Sequence, residues 1–143
     1  MTVRKIAGEL PVRFRYTPGV ANTAFFEALR DRGAFLGARC KECGITYVPP
    51  RMFCERCFEE PVTAVDCGPE GELLSFTVGH VGIDGEPLPE PVTLGLVKLD
   101  GADTVLMHFL IGDAQWEIGA SVRAVLRPAR TGSILDVEGF EPA

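Results

Sequence analysis

Apolar residues along the second half of this chain fall into five short runs, residues 73–79, 92–99, 104–110, 121–126 and 134–140. Each run is rich in Val, Leu, Ile, Thr or Phe and is bounded by Gly, Pro or Asp, which predicts a β-strand. Five such strands in about 75 residues, with no helical period between them, predict a small Greek-key barrel of the OB type. The most loop-like stretch, residues 84–91, lies between the first two strands, where an OB-fold carries one of its ligand-contacting loops.

The first half reads differently. Residues 1–18 look extended, and Thr17-Pro18-Gly19 is a breaker. Residues 22–30 predict a short helix. Asn22 or Thr23 can cap it, Arg30 and Arg32 suit its negative end, and Gly33 stops it. Phe25, Phe26 and Leu29 form one apolar stripe, which either packs on the chain's own core or fills a partner's groove. Residues 34–38 predict a strand that leads straight into Cys40. The expected fold is therefore mainly β, in three parts: an arm and helix over 1–33, a cysteine-bearing ribbon over 34–62, and a five-stranded barrel over 63–143.

Of 143 residues, 46% are hydrophobic and 24% charged, so the chain can bury a core and is not disordered. No apolar run approaches the roughly 20 residues that span a bilayer, so no membrane segment is expected. Arg4 and Lys5 are not followed by an apolar region of the signal-peptide kind, so a cytoplasmic location is expected. The five cysteines then read as thiols or metal ligands rather than disulfides.

The net charge of −6 is uneven. Residues 1–39 hold seven Lys/Arg against three Asp/Glu, whereas residues 62–143 hold four against thirteen. The acidic second half repels a phosphate backbone, which argues against nucleic-acid binding there. The basic arm is either a solvated tail or a contact for an anionic ligand or an acidic partner.

The strongest chemical signal is Cys40-Lys41-Glu42-Cys43, ten residues, then Cys54-Glu55-Arg56-Cys57. Each C-x-x-C pair sets two thiolates on one turn, and two such turns close a tetrahedral shell around Zn²⁺, with iron as the alternative. Cys40, Cys43, Cys54 and Cys57 are the predicted metal ligands, and four thiolates leave no open position for catalysis. Gly44 eases the first turn, and Pro49-Pro50 stiffens the loop between the pairs. Cys67 lies outside the pattern and reads as a small buried apolar residue.

Little else suggests chemistry. His80 ends the first barrel strand and His108 lies inside the third, and neither has a carboxylate beside it in sequence. No phosphate-binding glycine loop is present, and no catalytic residues are predicted. Trp116 either plugs one end of the barrel or stacks on a ligand or partner.

Three features combine: Phe35-Leu36-Gly37-Ala38-Arg39-Cys40 after a helix, Pro49-Pro50-Arg51 between the cysteine pairs, and Gly71-Glu72-Leu73-Leu74-Ser75-Phe76-Thr77-Val78 beyond them. Over roughly residues 18–140 this order resembles the rubredoxin-like zinc-ribbon plus OB-fold family associated with acyl-CoA metabolism. One departure is Phe58 after the second pair, where a small residue such as Gly is more usual. The resemblance implies an accessory acyl-CoA-binding or scaffolding subunit of a thiolase-superfamily enzyme, in lipid, polyketide or steroid side-chain metabolism. An alternative is a subunit of an acyl-CoA aldolase or retro-aldolase complex, whose partner supplies the catalytic residues. A nucleic-acid-binding OB-fold is a third reading, disfavoured by the acidic barrel and its few aromatics. The expected contact with a thiolase-like or aldolase partner, or the CoA it holds, is the helix of residues 1–39 and the adjoining ribbon face, with Phe25, Phe26 and Leu29 as anchors and Arg13, Arg15, Arg30 and Arg32 as rim.

Overall fold

The computed structural model describes Gly8, residues 12–61 and residues 63–143. Most of the predicted arm up to residue 11, with Arg4 and Lys5, lies outside the described residues, as does Val62. Among the described residues one helix, α1 (Gly19–Arg32), precedes eight strands: β1 (Phe35–Arg39), β2 (Thr46–Tyr47), β3 (Thr63–Cys67), β4 (Glu70–Val81), β5 (Pro87–Leu99), β6 (Leu106–Phe109), β7 (Ser121–Leu126) and β8 (Val137–Pro142). The fold is mainly β, in two sheets. A small antiparallel sheet has the order β2-β1-β3, and the barrel sheet has the order β6-β5-β4-β7-β8. No helix of the described residues is long and apolar enough to cross a membrane.

α1 starts three residues earlier than the sequence predicts. Pro18 takes the capping position with φ −69° and no side-chain cap, so Asn22 and Thr23 lie inside the helix rather than capping it. A proline ring already fixed near helical φ can start a helix without a capping oxygen. Gly33 ends α1 in the left-handed region at φ 65°, as its lack of a side chain permits. Phe25 and Leu29 are fully buried. Their stripe is thus a core face and does not anchor a partner. Phe25 lies 6.4 Å from Phe35 of β1, and Phe35 lies 6.5 Å from Phe140 of β8. This row of rings joins helix, ribbon sheet and barrel in one core with Leu73, Val97 and Val122.

The barrel closes where β6 meets β8. Leu110 bridges Phe140 in parallel, and the Ile111 N–H donates to the Phe140 carbonyl at 2.9 Å. Gly95 is needed at the crowded middle of β5, since a Cβ there would sit 2.7 Å from Leu110 and 2.8 Å from Leu73. The loop expected over residues 84–91 is shorter than predicted, because β5 already begins at Pro87. Its prolines are tolerated because this end of β5 overhangs the barrel and pairs only with β4, through Val81–Pro87 and Gly79–Val92.

The third barrel strand is shorter than its apolar run. Asp103 and Thr104 turn away to hold the ribbon. The Asp103 N–H donates to the Thr46 carbonyl at 2.9 Å, and the Thr46 N–H donates to the Asp103 carboxylate at 2.8 Å. The Val48 N–H donates to the Thr104 hydroxyl at 2.8 Å, which in turn donates to the Val48 carbonyl at 3.0 Å. Four hydrogen bonds thus fix β2 on the barrel. β3, which the apolar pattern does not single out, pairs with β1 along its whole length.

The last predicted strand is also interrupted. Residues 134–136 form one 3-10 turn before β8, capped by Ser133. Asp136 is 3% exposed. Its carboxylate accepts the N–H groups of Thr131, Gly132 and Ser133 and the Thr131 hydroxyl, at 2.7–3.2 Å. Burial alone would raise its pKa, but these donors outweigh burial and hold it below the usual carboxylate range.

A carboxylate with a depressed folded pKa stabilises the fold above its unfolded pKa of about 3.9, and the gain is lost as pH falls through the folded value. Asp136→Asn should therefore cost ~1–3 kcal/mol near neutral pH, since it leaves buried donors poorly paired. In urea unfolding, the parent chain should lose stability more steeply than the variant below pH 4. Parallel pH profiles for the two chains would remove Asp136 from this role.

Candidate metal centre

Two short turns with the same hydrogen-bond pattern carry the four cysteines. In the first, the Cys40 N–H donates to Ile45 O at 2.8 Å and the Gly44 N–H to Cys40 O at 3.0 Å. In the second, the Cys54 N–H donates to Glu59 O at 2.8 Å and the Phe58 N–H to Cys54 O at 2.9 Å. Both turns need a left-handed residue after the second cysteine. Gly44 meets that need at φ 71°, and Phe58 meets it at φ 63°, the one non-glycine with positive φ among the described residues. The departure at Phe58 thus leaves the turn intact. It instead places a bulky side chain in a region that costs L-residues about 1–2 kcal/mol.

The two turns bring Cys40, Cys43, Cys54 and Cys57 together, with all four Sγ atoms within 4.8 Å of one another. Cys43 Sγ lies 3.5 Å from Cys40 and 3.3 Å from both Cys54 and Cys57, and Cys40 lies 3.4 Å from Cys57. These separations are far beyond the roughly 2.05 Å of a disulfide. A tetrahedron with Zn–S near 2.3 Å has edges of about 3.8 Å, so a small outward shift of the sulfurs accommodates the ion. Cys40 and Cys54 are fully buried, and Cys43 and Cys57 partly so.

One residue that the sequence pattern does not flag completes the site. Tyr47 of β2 is fully buried, and its hydroxyl donates to Cys54 Sγ at 3.2 Å. That bond holds the phenol protonated, with its pKa raised to about 12. The same bond brings the Cys54 thiol down to about 6 in the metal-free chain. The Cys43 thiol moves the other way, raised first by its hydrogen bond to Cys54. The Tyr47 hydroxyl thus favours the thiolate form of Cys54, the form that binds a metal. Arg51 lies over the Tyr47 ring, 5.2 Å from its centroid, and pairs with Glu55. A Cβ on Gly44 would lie 3.6 Å from the Arg39 guanidinium, so that cation flanks the first turn.

The remaining candidates stay apart from this cluster. His80 is exposed near the end of β4. His108 is buried against Phe109 and Phe140, and its Nε2–H donates to Ile134 O at 3.2 Å. Burial lowers its pKa, against the smaller opposite effect of the bond to Ile134. Cys67 is buried in the main core, as its isolation from the pattern suggests. Trp116 packs partly against that core and lines a surface groove with Phe109 and Glu138.

Metal removal separates these roles. Cys43→Ser should lose the bound metal and destabilise the ribbon, whereas Cys67→Ser should keep a full complement. Tyr47→Phe should retain one ion per chain and bind it ~10-fold more weakly in a chelator competition. Full metal content in the Cys43 variant, by elemental analysis, would break the assignment.

Comparison with known proteins matches the two halves separately. Residues 28–63 match the rubredoxin-like zinc ribbon domain of ChsH2, and residues 64–127 match the ChsH2 C-terminal OB-fold domain. A DUF35 domain-containing scaffold protein of Methanocaldococcus jannaschii is 27% identical over 107 residues, 69% of this chain and 72% of that protein. A DUF35-family protein of unknown function from Sulfolobus solfataricus superposes with a TM-score of 0.69 at 23% identity, over 87% of each chain. A chain of the structure described as Ltp2-ChsH2(DUF35) aldolase superposes with a TM-score of 0.65 at 27% identity, over 88% of this chain and 98% of that one. In this chain a helix, a ribbon with four cysteines placed to bind a metal ion and an OB barrel follow one another, and with both domain matches it belongs to the zinc-ribbon and OB-fold family of ChsH2 and the DUF35 proteins.

Proposed function

We propose that this chain is an accessory scaffolding subunit of an acyl-CoA aldolase, in the cytoplasm, docking on a catalytic partner with a thiolase-like fold. The carrying observation is the superposition over 98% of a chain from an aldolase described by two proteins, Ltp2 and ChsH2(DUF35). The scaffold description of the archaeal relative supports the same reading. The chemistry of the metal centre agrees with it. Zn²⁺ held by Cys40, Cys43, Cys54 and Cys57 has a closed shell, so it serves architecture, not turnover.

A docking face follows from exposure. Val20 of α1 and Met52 line a shallow groove with Pro49 and Pro50, between the helix start and the ribbon loop. Val20, Met52, Phe53 and Phe58 are 76%, 50%, 57% and 78% exposed. Apolar side chains so exposed at the helix start and on the ribbon support an interaction face in this region. Phe58 is the sharpest of them, because its strained backbone does nothing for the ribbon that glycine would not do better. Relative to the sequence expectation, the partner face stays on the helix and ribbon, but its anchors are these exposed residues.

Two measurements test this reading. Purified alone, the chain should turn over no acyl-CoA substrate, and co-expression with its aldolase partner should yield a stoichiometric active complex. Turnover by the chain alone, or full partner activity without it, would contradict the reading. At residue level, Phe58→Gly should raise ribbon stability by about 1 kcal/mol and weaken the partner complex by ~2 kcal/mol. Unchanged affinity in that variant would move the interface elsewhere.

A further inference from the structure

The long hairpin of β4 and β5 leaves one backbone edge open. β7 pairs with β4 only at Glu70, Gly71 and Glu72. The preceding turn adds Leu73, through bonds to Gly119 and Ala120. From residue 75 to residue 81, β4 is bonded on its β5 side alone among the described residues. Phe76, Val78 and Val81 on this stretch are 36%, 43% and 57% exposed. Open edges are normally blunted by lysine. Here no Lys or Arg occurs between Arg56 and Lys98, and the hairpin instead carries Asp84, Glu86 and Glu90.

The chain also holds a segment with the opposite character. Residues 12–16 read Val-Arg-Phe-Arg-Tyr, a strict period of two with apolar residues on one side and arginines on the other. Phe14 and Tyr16 are 67% and 84% exposed, and their rings stack at 6.1 Å as same-side neighbours on an extended backbone. Residues 12–17 lie outside every helix and strand and make no backbone hydrogen bond among the described residues.

We propose that residues 12–16 of a second copy of this chain add as a strand to the open edge of β4, and that the exchange is reciprocal. Main-chain hydrogen bonds supply the pairing, as in other strand additions. Phe14 and Tyr16 lie over the face that carries Phe76 and Val78, and Arg13 and Arg15 lie on the other face and approach the acidic hairpin. Charge selects this occupant, since two hairpins of like charge repel while arm and hairpin attract. A reciprocal exchange closes on itself, giving a two-fold dimer rather than a filament.

Sedimentation velocity of the full chain, metal-loaded and without any partner enzyme, tests this separately from the proposed function. The parent chain should show a monomer–dimer equilibrium that weakens about tenfold on raising salt from 0.05 M to roughly 0.5 M. Arg13→Glu with Arg15→Glu should be monomeric, and so should Glu86→Lys with Glu90→Lys. Mixing the two variants should restore a dimer, because each arm then meets a hairpin of opposite charge. A parent chain that stays monomeric throughout, variants that still dimerise alone, or a mixture that stays monomeric would each overturn the proposal.

Discussion

Four sulfur atoms, all within 4.8 Å of one another, are the constraint on which the ribbon depends. The turns around them bury little else. Their cluster consists of Cys40, Tyr47 and Cys54, with Cys43, Ile45 and Cys57 partly covered. So small a group cannot offset the conformational entropy of ordering about twenty residues, at roughly 1–2 kcal/mol each. A metal bound by four thiolates supplies what the missing apolar core does not, and structural zinc of this kind contributes folding free energy outright. The Tyr47 hydroxyl extends the same device one layer outward, by fixing the sulfur it touches.

The barrel does not share this dependence. Its core of Leu73, Val97, Leu99, Val122, Val137 and Phe140 is built from inward-facing strand residues. The two parts meet at β1, which begins with Phe35 in the main core and ends at Arg39, one residue before Cys40. Asp103 and Thr104 add four hydrogen bonds from the barrel to the ribbon. The exposed ribbon residues Met52, Phe53 and Phe58 are therefore carried by a unit that is tied to the barrel core. The scaffolding role proposed above would draw on such rigidity, because every degree of freedom frozen at an interface weakens binding.

Much of this was legible in the residues. The paired C-x-x-C spacing is local chemistry, and the four thiols meet as that spacing implies. The strand over Ser121–Leu126 coincides with its apolar run, because both of its ends are set by nearby glycine and proline. Features set by distant contacts were not legible. The run over residues 104–110 becomes a strand only from Leu106, because Thr104 bonds Val48, 56 positions away. The run over residues 134–140 loses its first turn to the Asp136 carboxylate. Phe25 and Leu29 have the same pattern whether they meet a partner or a core, and only Phe35 and Phe140 decide it. Tyr47 gives no signal, since one tyrosine between two cysteine pairs has no period.

The central claim is that metal serves as the core of the ribbon while the barrel holds itself. Amide hydrogen exchange of the full chain, metal-loaded and then chelator-stripped, tests it residue by residue. The Gly44 and Phe58 amides, which bond the Cys40 and Cys54 carbonyls, should lose protection when the metal leaves. The Leu110 and Ile111 amides, which close the barrel, should keep theirs. Protected turn amides in the stripped chain, or loss of both sets together, would contradict the account.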